Sequence, residues 1–285
     1  MIFGLSLVRN EEDIVALSVR HHFALGLDRV IVVDNGSTDR TTRVLDSLRV
    51  DPRFSWRTLD GGYQQAEVYT ALAQEAYADG ATWVVPFDAD EFWDTKGEGL
   101  RDILESTSAG VLRAPNVNFV QVRQCIEPSS SRLETMSHRA VPHGGGARLD
   151  RELVERGEIS YLGIEVYHKA ITRPDAGTTI SRGNHWAYTN TGPTRSTEAL
   201  RVLHAPLRAR SHLYGKAEKG RRSALVNPDP SVSWHLKRFA RLEAEGKLDR
   251  EWEANSQLDG HLDLPTGAQR VEPDDSLVNA IAAVT

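Results

Sequence analysis

Thr82-Trp83-Val84-Val85-Pro86-Phe87-Asp88-Ala89-Asp90-Glu91-Phe92-Trp93 opens on a short apolar run and closes on an acidic knot between aromatic residues. The run, Thr82 to Phe87, has the length and composition of a strand buried on both faces. The acids begin where that strand must end. In an open parallel sheet, ligands bind beyond the carboxyl ends of the strands. An Asp-x-Asp pair at that place therefore predicts a site as well as a strand.

Working back toward the N-terminus, the pattern repeats. Arg29 to Asp34 is a β-branched run typical of a buried strand, and Ile2 to Val8 is another. Between them Glu12 to Leu25 places Ile14, Leu17, His21 and Leu25 on one helical stripe, closed by Gly26. Asn35-Gly36 turns the chain after Asp34, and Ser37 or Thr38 is placed to cap a helix from Asp39 to about Leu48. Phe54 to Leu59 reads as a third strand and Gln64 to Tyr77 as a helix. Strict alternation of strand and helix implies right-handed crossovers and a mainly parallel sheet.

Beyond Gly110 the rhythm changes. Val111 to Val122 reads as a strand pair or one long bent strand, and Pro142-His143-Gly144-Gly145-Gly146 as a flexible loop suited to a lid. Tyr161 to Ile180 is strand-like but interrupted by Pro174 and Gly177. Leu200 to His204 reads as a strand that leads into a helix near Ser211 to Arg222, and Val232 to Glu245 as a further amphipathic helix. The tail after Pro265 is expected to dock loosely. The expected division is a large α/β domain over 1–225, with a nucleotide half to about 110 and an acceptor half from 111, then a helical extension over 226–285.

The chain has 285 residues, ample for a packed core, and 34 basic against 40 acidic residues give a formal charge of −6. That balance excludes bulk, sequence-independent DNA binding, which needs a strong cationic field. Cys125 is the single cysteine, so no intramolecular disulfide and no cysteine-based zinc site can form. The apolar opening Met1 to Val8 is too short to span a bilayer and has no basic leader. A cytoplasmic chain with no transmembrane segment is expected, in line with a reducing compartment.

Three polar clusters fall at the predicted strand ends: Arg9-Asn10-Glu11-Glu12, Asp34 to Asp39, and Asp88 to Glu91. Asp88 and Asp90, held close, repel one another unless a cation neutralises them. Mg²⁺ or Mn²⁺ resolves the repulsion, and such ions typically bridge one or two carboxylates to substrate phosphates. A solvated acidic loop is the plainer reading of Asp-x-Asp alone. Asp34, ending the second strand, is placed to accept hydrogen bonds from a ribose or a base. A dinucleotide fold uses the same device but needs a glycine-rich turn after its first strand. Arg9-Asn10-Glu11 supplies none.

The motifs Val8-Arg9-Asn10-Glu11, Val33-Asp34-Asn35-Gly36-Ser37-Thr38-Asp39 and Pro86-Phe87-Asp88-Ala89-Asp90-Glu91-Phe92, in this order, resemble the landmarks of the family 2-like glycosyltransferases of GT-A fold. The Asp-x-Asp-Glu-Phe form is similar to the branch related to family 92. The likeness is dense to about residue 95. It thins through Gly183-Asn184-His185 and His204-Ala205-Pro206-Leu207-Arg208, then a helix with Lys216 and Gly220. The resemblance implies a Rossmann-like, mainly parallel central sheet with flanking helices, plus a mostly helical C-terminal part. It implies a metal-dependent enzyme that moves a sugar from a nucleotide-diphosphate donor, by family habit a UDP-sugar, to a hydroxyl of a glycan or small molecule.

It also implies roles. Arg9, Asn10, Glu11, Asp34, Asn35 and Ser37 would hold the nucleoside, and Asp88 and Asp90 the metal and diphosphate. A C-terminal histidine would complete the metal site, His204 first and His185 second. His21, His22, His235 and His261 are assigned to structure or surface. Arg208, Arg210, Lys216 and Lys219 carry the charge to neutralise a departing diphosphate. Trp93, Trp186 and Tyr188 are candidates for an acceptor platform, with core packing as the alternative, and Trp83 is expected in the core. An inverting transferase needs one carboxylate base at the acceptor hydroxyl. Many family 2 members carry it in a Glu-Asp pair that is missing between Asp94 and His204, which leaves Glu91 and then Glu165. The alternatives are an inactive nucleotide-sugar-binding module and a sugar-phosphate nucleotidyltransferase. The latter would need a glycine-rich loop and a lysine after the first strand.

Overall fold

The computed structural model describes residues 1–59, 64–229 and 232–285, and the chain divides into two compact units. The first comprises Met1–Val117, Val166–His204 and Ala280–Thr285; the second comprises Asn118–Glu165 and Ala205–Asn279.

In the first unit strand and helix alternate as the sequence predicts: β1 (Ile2–Val8), α1 (Val15–Ala24), β2 (Arg29–Asp34), α2 (Thr41–Leu48), β3 (Phe54–Thr58), α3 (Gln65–Ala78) and β4 (Trp83–Pro86). The short β5 (Glu91–Asp94) follows, then the helix Leu100–Ser106 and β6 (Val111–Ala114). A seven-stranded sheet runs in the order Thr194–Ser196, β6, Lys169–Thr172, β4, β1, β2, β3. Its β3-β2-β1-β4 half is parallel, and Lys169–Thr172 enters antiparallel between β4 and β6. Fold class is therefore mixed α/β around a parallel-rich sheet, with several helices in the C-terminal part of the chain.

Central strands carry β-branched residues because both faces are covered. Val30, Val32 and Val84 are fully buried, and Phe3, Leu5, Ile31 and Val33 pack with Tyr69, Leu72, Ala73 and Ala76 of α3. At roughly 25 cal/mol per Å² of apolar surface, such burial is the main force that docks α3 on the sheet.

In the second unit, the strand Asn116–Val122 pairs through its later residues with His138–Arg139 and Ser256–Gln257. Leu207, Leu213, Phe239, Trp252, Leu262 and Val271 form its core with Val120 and Cys125. The helices Arg210–Val226 and Trp234–Ala244 meet at Gly220, where an added Cβ would lie 1.9 Å from Leu236 O.

The chain passes between units at 117/118, 165/166, 204/205 and 279/280. Of the two readings of Val111 to Val122, the strand pair holds: the strands part at Pro115, which has no N–H to give a ladder. Two expectations need correction. The tail is packed: it forms the hairpin His261–Leu264 with Gly267–Arg270, and Leu277 and Ile281 of its last helix are buried. Finally, α2 is entered through Asp39, whose carboxylate accepts the Thr41 N–H at 2.9 Å, and not through Ser37 or Thr38.

Candidate active site

The sheet register brings two of the acidic clusters to one edge. Val8 pairs with Asp34 at the ends of β1 and β2, and Leu5 pairs with Pro86, so β4 ends beside β1 just before Asp88. Asn10, at a left-handed φ of 56°, stitches the first two loops together. Its N–H donates to Ser37 Oγ at 2.9 Å, and its Oδ1 accepts the Thr38 N–H at 2.8 Å. Glu11 N–H donates to Thr41 Oγ1 at 2.8 Å, and Glu12 accepts the Arg40 N–H at 2.6 Å. Arg9 is half-buried beside this junction.

Asp34 is buried, and its carboxylate shapes the turn that follows it: Ser37 N–H and Oγ donate to its two oxygens at 3.1 and 2.5 Å. A carboxylate has about four acceptor positions, so a ligand hydroxyl can still be received. Asn35 and Ser37 are half-buried, and Asn35 donates its N–H to Val8 O.

Asp88 to Glu91 is a closed turn. Glu91 N–H donates to Asp88 O at 3.0 Å, and Asp88 N–H donates back to Glu91 Oε2 at 3.3 Å. Tyr69 OH reaches Asp88 Oδ1 at 3.3 Å and also bonds Phe87 O. Asp90 Oδ2 lies 3.6 Å from His204 Nε2. The strand Arg201–His204 sets that distance, since it pairs antiparallel with β5 and puts His204 opposite Glu91.

Lys169 was not singled out by its sequence. Val84 pairs with Thr172, and continuing that antiparallel register puts Lys169 level with Phe87. Its ammonium lies 2.5 Å from Glu91 Oε1, 2.8 Å from Gly183 O and 3.3 Å from Asp88 Oδ2. Burial lowers the tendency of such an amine to hold its proton, but the charges of Glu91 and Asp88 outweigh it and raise the Lys169 pKa. Burial pushes Glu91 up to about 7 against the opposing pull of Lys169. His185 is brought down to about 4, first by burial and then by the Lys169 charge. Its Nδ1 faces His168 O at 3.3 Å.

The remaining sequence candidates differ in burial and in the unit that carries them. Trp93 is fully buried with Nε1 donating to Pro86 O, so it is core and not an acceptor surface. Glu91, at 1 % exposure, is sealed against Lys169. Glu165 belongs to the second unit, where its N–H bonds Asp150 Oδ2 and its side chain is exposed. Arg208 and Lys216 also belong to the second unit; Arg208 is buried, with its guanidinium on Ala205 O and His212. Trp186 is exposed, and the Arg113 guanidinium lies 3.5 Å over its ring.

Among the described residues no three His, Cys, Asp or Glu side chains are grouped to hold a metal. Asp90 and His204 nevertheless supply a carboxylate oxygen and an imidazole nitrogen on facing elements, a donor pair that suits Mn²⁺. A cation held there would take its remaining ligands from water and a diphosphate, the usual habit of Mg²⁺ and Mn²⁺ at phosphates. Among the described residues no helix is long and apolar enough to cross a membrane.

Residues 7–123 match the family model for glycosyl transferase family 2. A glycosyltransferase family 92 protein of Oryza sativa subsp. japonica is 24% identical over 172 residues, which cover 60% of this chain and 26% of that protein. The chain thus spans about a quarter of the length of the curated relative it matches. Among solved structures, S. aureus TarS 1–349 in complex with UDP is 13% identical over 86% of this chain and 72% of that one, at a TM-score of 0.42. Glucosyl-3-phosphoglycerate synthase from Mycobacterium tuberculosis, in complex with Mn²⁺, UDP and phosphoglyceric acid, is 14% identical over 61% of this chain and 55% of that one, at 0.35. The segment that carries the three acidic motifs on the parallel-rich sheet is thus similar to glycosyl transferase family 2.

Proposed function

We propose that the chain transfers a glycosyl group from a nucleoside diphosphate sugar to an acceptor hydroxyl, with a divalent cation at Asp90 and His204. The supporting observation is the 3.6 Å approach of Asp90 and His204 beside the strand ends that carry Asp34 and Asp88. Asp34 and Asp88 are the acceptors for the donor's nucleoside, and Arg9, Asn10 and Glu11 build the loop that frames it. A cation bound at Asp90 and His204 would stabilise the negative charge that grows on the departing diphosphate.

Each residue then has a separable task. Asp34 and Asp88 bind and orient the donor, while Trp186 and Tyr188, both exposed, offer ring faces to a sugar acceptor. His185, held neutral, adds no positive charge beside Asp88. Transfer with inversion is the stereochemistry proposed from the family resemblance. A cytoplasmic setting belongs to the same reading and rests on the lone, buried Cys125.

A panel of UDP-, GDP- and dTDP-sugars, assayed for Mn²⁺-dependent hydrolysis and transfer, tests the proposal. One donor turned over only with the cation supports it. Nucleotide binding with no turnover of any donor would favour an inactive binding module.

A further inference from the structure

Lys169 opens its strand with an ammonium that is 4% exposed and faces three oxygens. An ammonium has three N–H donors, and Glu91, Gly183 and Asp88 account for them. Lysine is seldom buried unless paired, and the 2.5 Å contact with Glu91, itself 1% exposed, supplies the pairing. The Asp88 contact is of a different kind, because that carboxylate is 30% exposed and stands at the rim of the site. Its two oxygens are met from separate directions at 3.3 Å each, Oδ2 by Lys169 and Oδ1 by Tyr69 OH, which shares its one proton with Phe87 O. Its backbone is fixed as well, by the two hydrogen bonds exchanged with Glu91. Asp90, two residues on, is turned toward His204.

We propose that Lys169 is a positioning residue that divides the labour of the Asp-x-Asp turn. It clamps Asp88 as a rigid acceptor for the donor nucleotide and leaves Asp90, with His204, to the cation. This rests on the donor and cation sites proposed above. An unclamped Asp88 would be free to rotate toward the cation, and the nucleotide would lose a fixed partner.

The test uses the full chain and UDP as probe, titrated calorimetrically in saturating Mn²⁺, with the Mn²⁺ requirement measured separately. Lys169→Met should weaken UDP binding roughly tenfold, as expected for loss of a charged hydrogen-bond clamp. The half-saturating Mn²⁺ concentration should stay within about twofold of wild type, because Asp90 and His204 are untouched. A purely structural lysine would instead lower the fraction of binding-competent protein at an unchanged Kd. Tyr69→Phe loosens the other oxygen of Asp88 and should weaken UDP binding about threefold or more. It decides the matter if Lys169→Met gives no cooperative thermal melt.

Folded variants that bind UDP with the wild-type Kd overturn the role of Lys169 alone. So does a Lys169→Met variant whose Mn²⁺ requirement rises as that of His204→Ala should. Wild-type protein that fails to bind UDP in Mn²⁺ overturns the donor site, and this inference with it.

Discussion

Asp90 Oδ2 and His204 Nε2 face one another at 3.6 Å, one from the third position of a closed turn and the other from the strand paired with β5. At that distance they make no direct hydrogen bond. They are the two sides of the proposed cation site. Asp90→Ala should lower Mn²⁺-dependent transfer roughly hundredfold, and His204→Ala should raise the half-saturating Mn²⁺ concentration about tenfold. Circular dichroism should show the wild-type fold in both. Wild-type turnover in Asp90→Ala would remove the cation from the scheme.

Trp186 and Trp93 were indistinguishable as acceptor candidates, and the structure separates them. Trp186→Ala should raise the acceptor KM several-fold, leave donor hydrolysis unchanged, and alter stability by about 1 kcal/mol or less. Trp93→Ala removes a fully buried ring and should cost about 3–5 kcal/mol of stability. Urea melts and acceptor titrations on the two variants check the contrast. An unchanged acceptor KM in Trp186→Ala would contradict the platform.

What the sequence made legible follows from how locally each feature is encoded. The runs Arg29–Asp34 and Trp83–Pro86 are apolar throughout, so their burial, their parallel pairing and the acids at their ends could all be read directly. Trp93 could not be placed, because Glu91, Phe92 and Trp93 are all buried and no alternation marks an outer face. Lys169 was missed because its importance lies in an antiparallel register with a strand about eighty residues earlier, set by tertiary pairing. The only local hint was a lysine opening the short apolar run Ala170-Ile171-Thr172. The path between units is no more local: the chain leaves the first unit twice and returns to it twice.

Gly220 matched the family's helix by type, and packing explains it. The helices Arg210–Val226 and Trp234–Ala244 approach so closely there that a methyl group would overlap Leu236 O, a backbone atom with no rotamer to yield. Gly220→Ala should destabilise the chain by about 1–3 kcal/mol, despite alanine's better helix propensity. A thermal midpoint equal to or above wild type would show that the helices part at no cost.

His22 sets an acid limit on stability. Its ring stacks on Phe87 at 3.7 Å, its Nδ1 bonds Ser18 O, and its buried Nε2 has no hydrogen-bond partner. Burial, reinforced by the neighbouring His21, holds its pKa well below 6.5. The unfolded chain therefore takes up a proton near pH 6.5 that the folded chain refuses. Stability should be complete above that pH and decline as pH falls below it. Urea midpoints between pH 7.5 and 5 should fall more steeply for wild type than for His22→Phe; equal slopes would contradict the assignment.

The central claim is that a nucleoside diphosphate and a divalent cation bind together where β1, β2 and β4 end. Calorimetric titration of the wild-type chain with UDP, first in Mn²⁺ and then after chelation, addresses it most directly. The account predicts binding in Mn²⁺ that weakens by about tenfold or more on chelation. An affinity for UDP indifferent to the cation, or no heat of binding at all, would contradict it.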